Sequence, residues 1–381
     1  HKLMQLSSRK QNLTRTGENM PKLGRAFNHL DDLPLLFGVS GINDALTHLR
    51  EFKTKEGYSS IRTKWDGRVQ VYWGRCHEGK FHLAPHHVWE RKEDCSSKEL
   101  LQEAILNSRG GKREEIQWLV KRFDELFDIL ESITPIEFRG FVYGDAISLE
   151  KPSVKDGIVS FKGNIRSETV YHSTVTSTIG KKLQNSSFVI AGHGIFTDWG
   201  SKDRDQAPID DFSFVNSHSG VTVLNPEYNK RPVKVNDDTI AYLEGMLSRH
   251  CKIIDKFMEP VHGLTDLPDL MYRYVNHKCR FKRQNEINSR DMVKWIKQND
   301  KLTVSKIERF CRHVVTNPSA LEVILSISNS IRAEKDKIIA QLERNTGEIW
   351  ATHGEGYVRY ASDRHSCGNI KLVPRWRWIP Q

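Results

Sequence analysis

The feature that most constrains the fold is a long helical segment that interrupts a strand-rich chain. From about Thr239 to Asn345, apolar residues recur at helical spacing almost without a break, as in EVILSISNSIRAEKDKIIAQLER. Two further strand patterns, GEGYVRY and GNIKLVPRWRW, follow that segment. Strands at the end of a chain need a sheet to join, so we expect an α+β fold with an inserted all-α domain.

The strands before the helical segment fall in two groups with a helix between them. Residues 59–92 alternate β-branched and aromatic residues around a turn at Asp66-Gly67, a pattern that predicts antiparallel strands. Residues 97–132 are amphipathic and predict helix. Strand patterns return in residues 136–149, 157–163, 169–175 and 187–199.

These patterns divide the 381-residue chain into four segments. A stretch rich in turn residues and proline, NPEYNKRPVKVNDD, marks the boundary before the helical segment. The predicted segments are an N-terminal part with one helix over residues 43–53 (1–58), the first part of the sheet domain (59–236), the helical insertion (237–346) and the last strands of the sheet domain (347–381).

The excess positive charge lies mostly in one part of the helical segment. The net charge is +10, and between Arg273 and Arg312 twelve Lys and Arg residues stand against four acids. Aromatic residues are interleaved with these cations, namely Tyr272, Tyr274, Phe281, Trp295 and Phe310. We therefore favour a nucleic-acid groove over an ordinary solvated helix surface. The candidate nucleic-acid-binding residues are Arg273, Lys278, Arg280, Lys282, Arg283, Arg290, Lys294 and Lys297.

The cysteines and the hydropathy pattern indicate the compartment. Six cysteines are scattered along the chain with no CxxC pair, which predicts reduced thiols in the cytoplasm and argues against a disulfide framework or a zinc site. No apolar run approaches the roughly 20 residues of a membrane span, and no apolar signal segment opens the chain. We expect a monomer that does not bind membranes.

One lysine stands in a position that suggests chemistry. Lys64 ends a short alternating segment and is followed by Trp65, Asp66 and Gly67 in SIRTKWDGRVQVYWGR. A lysine in this place is either an ordinary hairpin residue or a nucleophile held at the mouth of a sheet. Four further candidate residues lie in later strand patterns: Asp145 in FVYGDAI, Phe196 in SFVIAGHGIF, Glu355 in EGYV and Lys371 in NIKLV.

Taken in this order, these motifs resemble those of the covalent nucleotidyltransferase superfamily, which includes ATP-dependent DNA and RNA ligases and mRNA capping enzymes. The pattern KWDG…WGR…EGYV…KLVPR is also similar to that of phage-encoded ligases with a long helical insertion. The resemblance implies an antiparallel-sheet nucleotidyltransferase domain, which is the ligase adenylation domain. Because only ten residues follow Lys371, we expect no OB-fold after it.

The resemblance assigns the chemistry to two lysines. Lys64 would attack the α-phosphate of ATP, displace pyrophosphate and carry AMP as a phosphoramidate. Lys371 would hold the α-phosphate, and Glu355 and Asp145 would supply oxygen ligands to Mg²⁺ or Mn²⁺. An alternative alignment puts Phe141 in the place of Asp145.

The other nucleotide contacts follow from the same resemblance. Arg75 would contact the ribose or the 5′-phosphate end, and Phe196 would stack on adenine. The backbone near Thr63 would read the edge of the base. Asp66 and Gly67 would complete the nucleotide-binding motif.

The resemblance therefore implies an ATP-dependent polynucleotide ligase that seals 5′-phosphate and 3′-hydroxyl ends through a lysyl-AMP intermediate. Its partner would be nicked or single-stranded nucleic acid, and both RNA and DNA stay open as the substrate. The alternative is a non-catalytic nucleic-acid-binding protein on a ligase-like scaffold. A protein AMP-transferase, which shares the first step, also stays open.

Overall fold

The structure is a computed structural model that describes residues 27–65, 67, 69–108, 113–162, 168–201, 211–215, 220–345, 347–354 and 356–375. It is a mixed α+β fold in which most strand pairs are antiparallel. The helices of the described residues are α1 (Leu33–Phe52), α2 (Lys55–Ser59), α3 (His86–Trp89), α4 (Lys98–Ser108), α5 (Arg113–Ile133), α6 (Thr178–Leu183), α7 (Asp237–Met258), α8 (Leu267–Arg280), α9 (Ser289–Lys297), α10 (Val304–Thr316) and α11 (Ala320–Arg344).

The strands form three sheets. They are β1 (Asn28–His29), β2 (Arg62–Thr63), β3 (Val69–Arg75), β4 (Phe81–Pro85), β5 (Gly140–Ser148), β6 (Ser153–Lys155), β7 (Ile158–Phe161), β8 (Val170–Thr174), β9 (Phe188–Phe196), β10 (Val221–Leu224), β11 (Ile349–Thr352), β12 (Tyr357–Arg359) and β13 (Ile370–Leu372). The strand orders are β1-β13-β12-β2, β10-β9-β5-β3-β4 and β11-β8-β7-β6.

The first of these sheets joins the two ends of the chain. β12 lies between β2 and β13, with Tyr357 opposite Thr63 on one side and Val358 opposite Lys371 on the other. The strands that follow the helical segment therefore complete a sheet that begins before it, as the sequence pattern predicts.

Helix α1 and the helices of the helical segment, α7 to α11, pack around one hydrophobic core. Helix α1 packs against α7 and α11, and its Phe52 is fully buried in the same core as Phe257 of α7 and Ile331 of α11. Leu372 of β13 faces this core too. Burying each such side chain contributes roughly 1.5–3 kcal/mol of folding free energy. The core thus fastens the last strand to the helices.

The five-stranded sheet has its own core under α4 and α5. Trp73 of β3, Phe141 of β5 and Phe123 of α5 are all buried in it. A smaller core holds Trp65 and Tyr171, and it connects the small sheet of β6, β7, β8 and β11 to the back of β5 and β9.

Several elements differ from their sequence predictions. Helix α1 begins ten residues before the predicted start, because Pro34 at its N-terminus and Gly38, at φ +56°, allow the chain to enter early and bend. The predicted strand through 86–89 is helix α3. The predicted helix over 97–132 is two helices, α4 and α5. Strands β6, β10 and β11 were not predicted, since each has only three or four residues.

Candidate active site

A cleft lies beside β2, between the C-terminal end of α11 and the small sheet. Its cavity volume is about 70 Å³, and it opens to solvent. Lys64, which is half-buried, forms part of its wall. Its other polar and aromatic walls come from Thr63, Trp65, Tyr171, Glu227, Tyr228, Asn229, Glu343, Asn345, Trp350 and Tyr357.

Two backbone hydrogen bonds fix the segment that carries Lys64. The N–H of Lys64 donates to the carbonyl oxygen of Gly356 at 2.9 Å, and the N–H of Thr63 donates to that of Glu227 at 2.8 Å. The KWDG segment is therefore held between the EGYV segment on one side and the loop before α7 on the other. Thr63, predicted to lie at the nucleotide, does line the cleft.

The residue after Lys64 explains why this loop keeps its shape. Trp65 is only 5% exposed, and its ring centroid lies 5.2 Å from that of Tyr171. Its indole Nε1 is buried and has no hydrogen-bond partner within the described part of the chain.

Gly67 packs directly on the strand that carries Asp145. A Cβ atom at Gly67 would lie 2.3 Å from the Cβ of Asp145, a distance that no side chain tolerates. Asp145 in turn pairs with His193 of β9, with 3.0 Å between Oδ2 and Nε2. The structure thus brings the KWDG turn, Asp145 and His193 together, and the sequence analysis did not select His193.

One carboxyl group in the cleft wall was missed by the sequence analysis. Burial raises the pKa of Glu227 to about 7, so its carboxyl group can donate as well as accept a hydrogen bond near neutral pH. Its Oε1 accepts a 3.4 Å hydrogen bond from the N–H of Ile349. A Cβ at Gly347 would lie 2.4 Å from that oxygen, so only a glycine at position 347 leaves room for the Glu227 carboxyl group. No motif marks Glu227, which lies in a loop rich in turn residues.

Lys371 belongs to the same sheet as the Lys64 segment but stands across β12 from it. Its strand partners are Val358 on one side and His29 on the other. Of the described residues, those that line the cleft do not include Lys371. Burial and the nearby cations, Lys371 among them, hold the pKa of His29 well below its ordinary value. A role for Lys371 at the α-phosphate stays a prediction.

Arg75 has a structural place far along β3 from the KWDG turn. Its guanidinium donates to the carbonyl oxygens of Glu131, Thr134 and Pro135 at the end of α5, and to that of Gly79. These contacts cap the helix C-terminus. These carbonyls engage the guanidinium of Arg75, and its contact with ribose or a 5′-phosphate stays a prediction.

Phe196 is a core residue and does not reach the cleft. It is 4% exposed, and its ring lies 5.3 Å from that of Trp89 and 4.9 Å from that of Tyr143. Aromatic side chains surround the ring, and the stacking of Phe196 on adenine stays a prediction. Asp66 and Glu355 lie outside the described residues, although their neighbours Trp65 and Gly356 both line the cleft.

The predicted nucleic-acid residues divide into two groups. Lys278 is buried, and its ammonium lies 2.6 Å from Asp291 and 3.0 Å from Glu286. Burial alone would lower its pKa, but hydrogen bonds to these two carboxylates raise it. Lys278 thus pairs with carboxylates inside the helical core, and its contact with nucleic acid stays a prediction. The other seven candidates are exposed: Arg273, Arg280, Lys282, Arg283, Arg290, Lys294 and Lys297.

The aromatic residues of this segment also divide. Tyr274 and Phe310 are fully buried in the helical core. Phe281 is 64% exposed, and Trp295 is half-buried against the core. Tyr272 is half-buried too, with the Arg375 guanidinium 5.9 Å from its ring centroid, so Phe281 is the exposed member of the five.

A second group of ionisable side chains lies where β12 meets α1. His48, Glu51 and His365 place donor atoms within 4.8 Å of one another, as in a metal site. His48 Nδ1 accepts a 2.7 Å hydrogen bond from Arg359, and His365 Nδ1 accepts a 3.0 Å bond from the N–H of Ser362. A neutral imidazole that accepts at Nδ1 carries its proton on Nε2. Neither ring offers a metal that nitrogen, so the group serves to fasten β12 to α1.

Comparison with known proteins gives one match. Residues 25–378 match the sequence model of a protein family that is described as a family of unknown function, DUF6267. No curated protein and no solved structure matches the chain.

All six cysteines have free thiols, and no helix of the described residues is long and apolar enough to span a membrane.

Proposed function

The chain belongs to the DUF6267 family, and we propose that this protein is an ATP-dependent polynucleotide ligase that carries AMP on Lys64. The observation that carries the proposal is the place of Lys64. Lys64 begins the KWDG segment in the wall of a cleft, and its N–H donates a hydrogen bond to the carbonyl oxygen of Gly356 in the EGYV segment.

The first step would transfer AMP from ATP to the lysine. The unprotonated Nζ of Lys64 attacks the α-phosphorus, a P–N bond forms, and the P–O bond to pyrophosphate breaks. The departing ammonium proton goes to solvent or to a nearby base. The aromatic walls of the cleft, with Trp350 and Tyr357, would hold the nucleoside in place while Trp65 Nε1–H offers it a hydrogen bond.

The later steps would pass AMP to a 5′-phosphate and then release it. A phosphate oxygen attacks the lysyl-AMP and frees the Lys64 amine, and a 3′-hydroxyl then displaces AMP to form the phosphodiester. Each step moves one phosphoryl group between two nucleophiles, so the same residues can serve all three.

Asp145 fits a divalent cation, Mg²⁺ or Mn²⁺. Oxygen ligands suit both ions, and one or two carboxylates beside phosphates suffice for Mg²⁺. His193 holds Oδ2 of Asp145, which orients the carboxylate and leaves Oδ1 for a cation. Glu355, next to Gly356 in the chain, is the second carboxylate we propose. The ion would neutralise charge on the reacting phosphates.

A nucleic-acid-binding protein without turnover is the second candidate. The observations that favour it are the structural contacts of Arg75 and Phe196, two residues that the ligase resemblance places at the nucleotide. The six free thiols fit the reducing cytoplasm in either case.

Labelling with ATP separates the two candidates. Wild type, Lys64→Ala and the control Lys55→Ala, an exposed lysine in α2, would be incubated with Mg²⁺ and ATP labelled at the α-phosphate, then run on a denaturing gel. We expect label on wild type and the control and none on Lys64→Ala. Unlabelled wild type, or label that persists in Lys64→Ala, overturns lysine adenylation.

The acceptor needs a second assay. Nicked duplexes with a DNA or an RNA strand at the nick, and single strands of each, would be offered to labelled protein. Sealing of any of them supports the ligase proposal and identifies the substrate. If the protein becomes adenylated but neither seals nor adenylates any polynucleotide end, the ligase part is overturned and the protein is a lysyl-AMP carrier.

A further inference from the structure

We propose that the C-terminal end of α8 and the adjoining face of α9 bind single-stranded nucleic acid by base stacking. The site, here called the α8 patch, consists of His277, Arg280, Phe281, Lys282, Lys294 and Trp295. It is separate from the Lys64 cleft, and it goes beyond the proposed function because it predicts binding without ATP or chemistry.

The aromatic side chains form a row from the core to the solvent. The ring of Tyr274 is fully buried, and its centroid lies 5.7 Å from that of Trp295. The centroid of His277 lies 5.8 Å from that of Trp295 and 5.0 Å from that of Phe281. The hydroxyl of Tyr274 donates to Asp291 at 2.8 Å, so the inner end of the row is fixed. The outer ring, Phe281, is 64% exposed. A rigid row with one open ring is a platform for an unstacked base.

The backbone next to Phe281 gives a second indication. Lys282 has φ +56°, the left-handed region that favours glycine. The N–H of Arg283 donates to the carbonyl of Lys278, and that of Lys282 to Cys279, which is the hydrogen-bond pair of a Schellman helix end. Glycine is the residue that suits this position best. A lysine there places a cation beside the exposed ring at a cost in strain, as functional positions do.

The charge of the patch suits phosphates. Arg280, Lys282 and Lys294 are exposed around the row of rings. The nearby acids are engaged elsewhere, because Asp291 and Glu286 both pair with the buried Lys278. Cations beside exposed aromatic rings are the pattern of single-strand binding, in which phosphates meet the cations and bases meet the rings.

The state of His277 fits stacking. Burial, and then the charges of Lys278 and Arg283, lower the pKa of this imidazole, so it is mostly neutral at neutral pH. It therefore acts in the row as a flat ring. Duplex nucleic acid keeps its bases stacked inside, so an open ring such as Phe281 favours single strands.

The position of α8 places the patch next to the end of the sheet that carries Lys371. Arg375, four residues after Lys371, donates to Asn276 of α8 and lies 5.9 Å from the ring centroid of Tyr272. Single-stranded nucleic acid bound on the α8 patch would therefore lie on the helix that contacts Arg375, just after β13.

The test measures binding without ATP, so failure of Lys64 adenylation leaves its result unaffected. Fluorescence anisotropy with labelled oligothymidylate and oligouridylate would be compared for wild type, Phe281→Ala and Val315→Ala. Val315 is an exposed apolar residue of α10 and provides the matched control. We expect Phe281→Ala to weaken binding about tenfold and Val315→Ala to leave it unchanged. Binding of either oligonucleotide that Phe281→Ala weakens and Val315→Ala does not supports the site.

A second variant guards against misfolding. Lys282→Gly should bind the oligonucleotides a few-fold more weakly. The slope of log binding constant against log salt concentration should be smaller in magnitude by about one, and the Tm of the variant should rise. No binding by wild type, or equal binding by wild type and Phe281→Ala, overturns the proposal. Duplex binding that matches single-strand binding and does not depend on Phe281 overturns it too.

Discussion

The backbone N–H of Lys64 donates a 2.9 Å hydrogen bond to the carbonyl oxygen of Gly356. This bond joins the segment before β3 to a strand that follows the whole helical segment. Arg359, three residues past Gly356, ties the same strand to α1 through Glu51 and to the end of α2 through a 2.7 Å bond to Ser60. The position of Lys64 thus depends on both ends of the chain and on the helical core.

Gly67→Ala tests the close packing of the KWDG turn on β5. Its Cβ would lie 2.3 Å from the Cβ of Asp145, so either the turn or the strand must shift. We expect a loss of about 1–3 kcal/mol in the free energy of unfolding, and slower lysine labelling by ATP. Urea denaturation and gel labelling measure the two effects.

Gly245→Ala is the matched control for that change. Gly245 lies in α7, where a Cβ has only Arg249 Nη2 within reach, at 3.8 Å. Alanine should stabilise this helix by about 1 kcal/mol. If Gly67→Ala is as harmless as Gly245→Ala, the packing described for the turn is wrong.

Glu227→Gln tests the protonated carboxyl group in the cleft. The pKa of Glu227 is about 7 in the fold, against roughly 4.3 for an unfolded chain. Between these values the folded state holds a proton that the unfolded state has released, so wild-type stability falls as pH rises towards 7 and is level above it. Glutamine cannot ionise, so the variant should lack this loss.

The size of the effect follows from the shift. Between pH 5 and pH 8 the free energy of unfolding of wild type should fall by about 2 kcal/mol relative to that of Glu227→Gln, allowing for partial exposure of the carboxyl group. Denaturant unfolding at the two pH values measures it, with Glu343→Gln, an exposed glutamate of the same wall, as control. Identical pH dependence in wild type and Glu227→Gln contradicts the assignment.

Lys335→Met tests the buried ion pair behind the last strand. Lys335 and Asp31 are both fully buried, with 2.6 Å between Nζ and Oδ1. Arg375, past β13, contacts the other oxygen of Asp31 at 3.1 Å. Removing the lysine leaves a buried carboxylate with one cation fewer, so we expect a loss of about 3–5 kcal/mol in unfolding free energy.

Lys337→Met on the same helix is its control. The side chain of Lys337 is 61% exposed and pairs with Glu334. The carboxylate of Glu334 is buried but also accepts hydrogen bonds from the N–H of Asn236 and from Thr239, so loss of this solvent-exposed cation should cost about 1 kcal/mol or less. Thermal and chemical unfolding of both variants would be compared, and equal effects would show that the Asp31 pair does not support the fold.

Lys282→Gly should make the protein more stable. Relief of the left-handed lysine should add about 1 kcal/mol to the unfolding free energy, measured by urea denaturation. Lys92→Gly is the control, because Lys92 is exposed and has φ +57° as well. Both should stabilise, but only Lys282→Gly should weaken oligonucleotide binding. A loss of stability in Lys282→Gly would contradict the strain argument.

The sequence predicts the large features of this fold because they depend on local pattern. The helical segment and the return to strands after it both follow from the spacing of apolar residues along the chain. The early start of α1 was missed because Gly38 and Pro34 look like breaks until tertiary packing against Met258 is known.

The side-chain partners were less predictable, because they come from distant parts of the chain. Nothing near Lys278 in a helical pattern shows that Asp291 and Glu286 return to pair with it. Arg75 ends a strand beside a helix end that the sequence could not place there. Glu227 carries no motif, and only its burial against the small sheet gives it an unusual pKa.

The measurement that tests the central claim most directly is mapping of the AMP adduct. Wild type would be incubated with ATP and Mg²⁺, digested at a pH that preserves phosphoramidates, and analysed by peptide mass spectrometry. We predict one AMP on the peptide that contains Lys64, and no adduct in Lys64→Arg, which keeps the charge but lacks the nucleophilic amine. An adduct on another lysine, or unmodified wild type, would contradict the account.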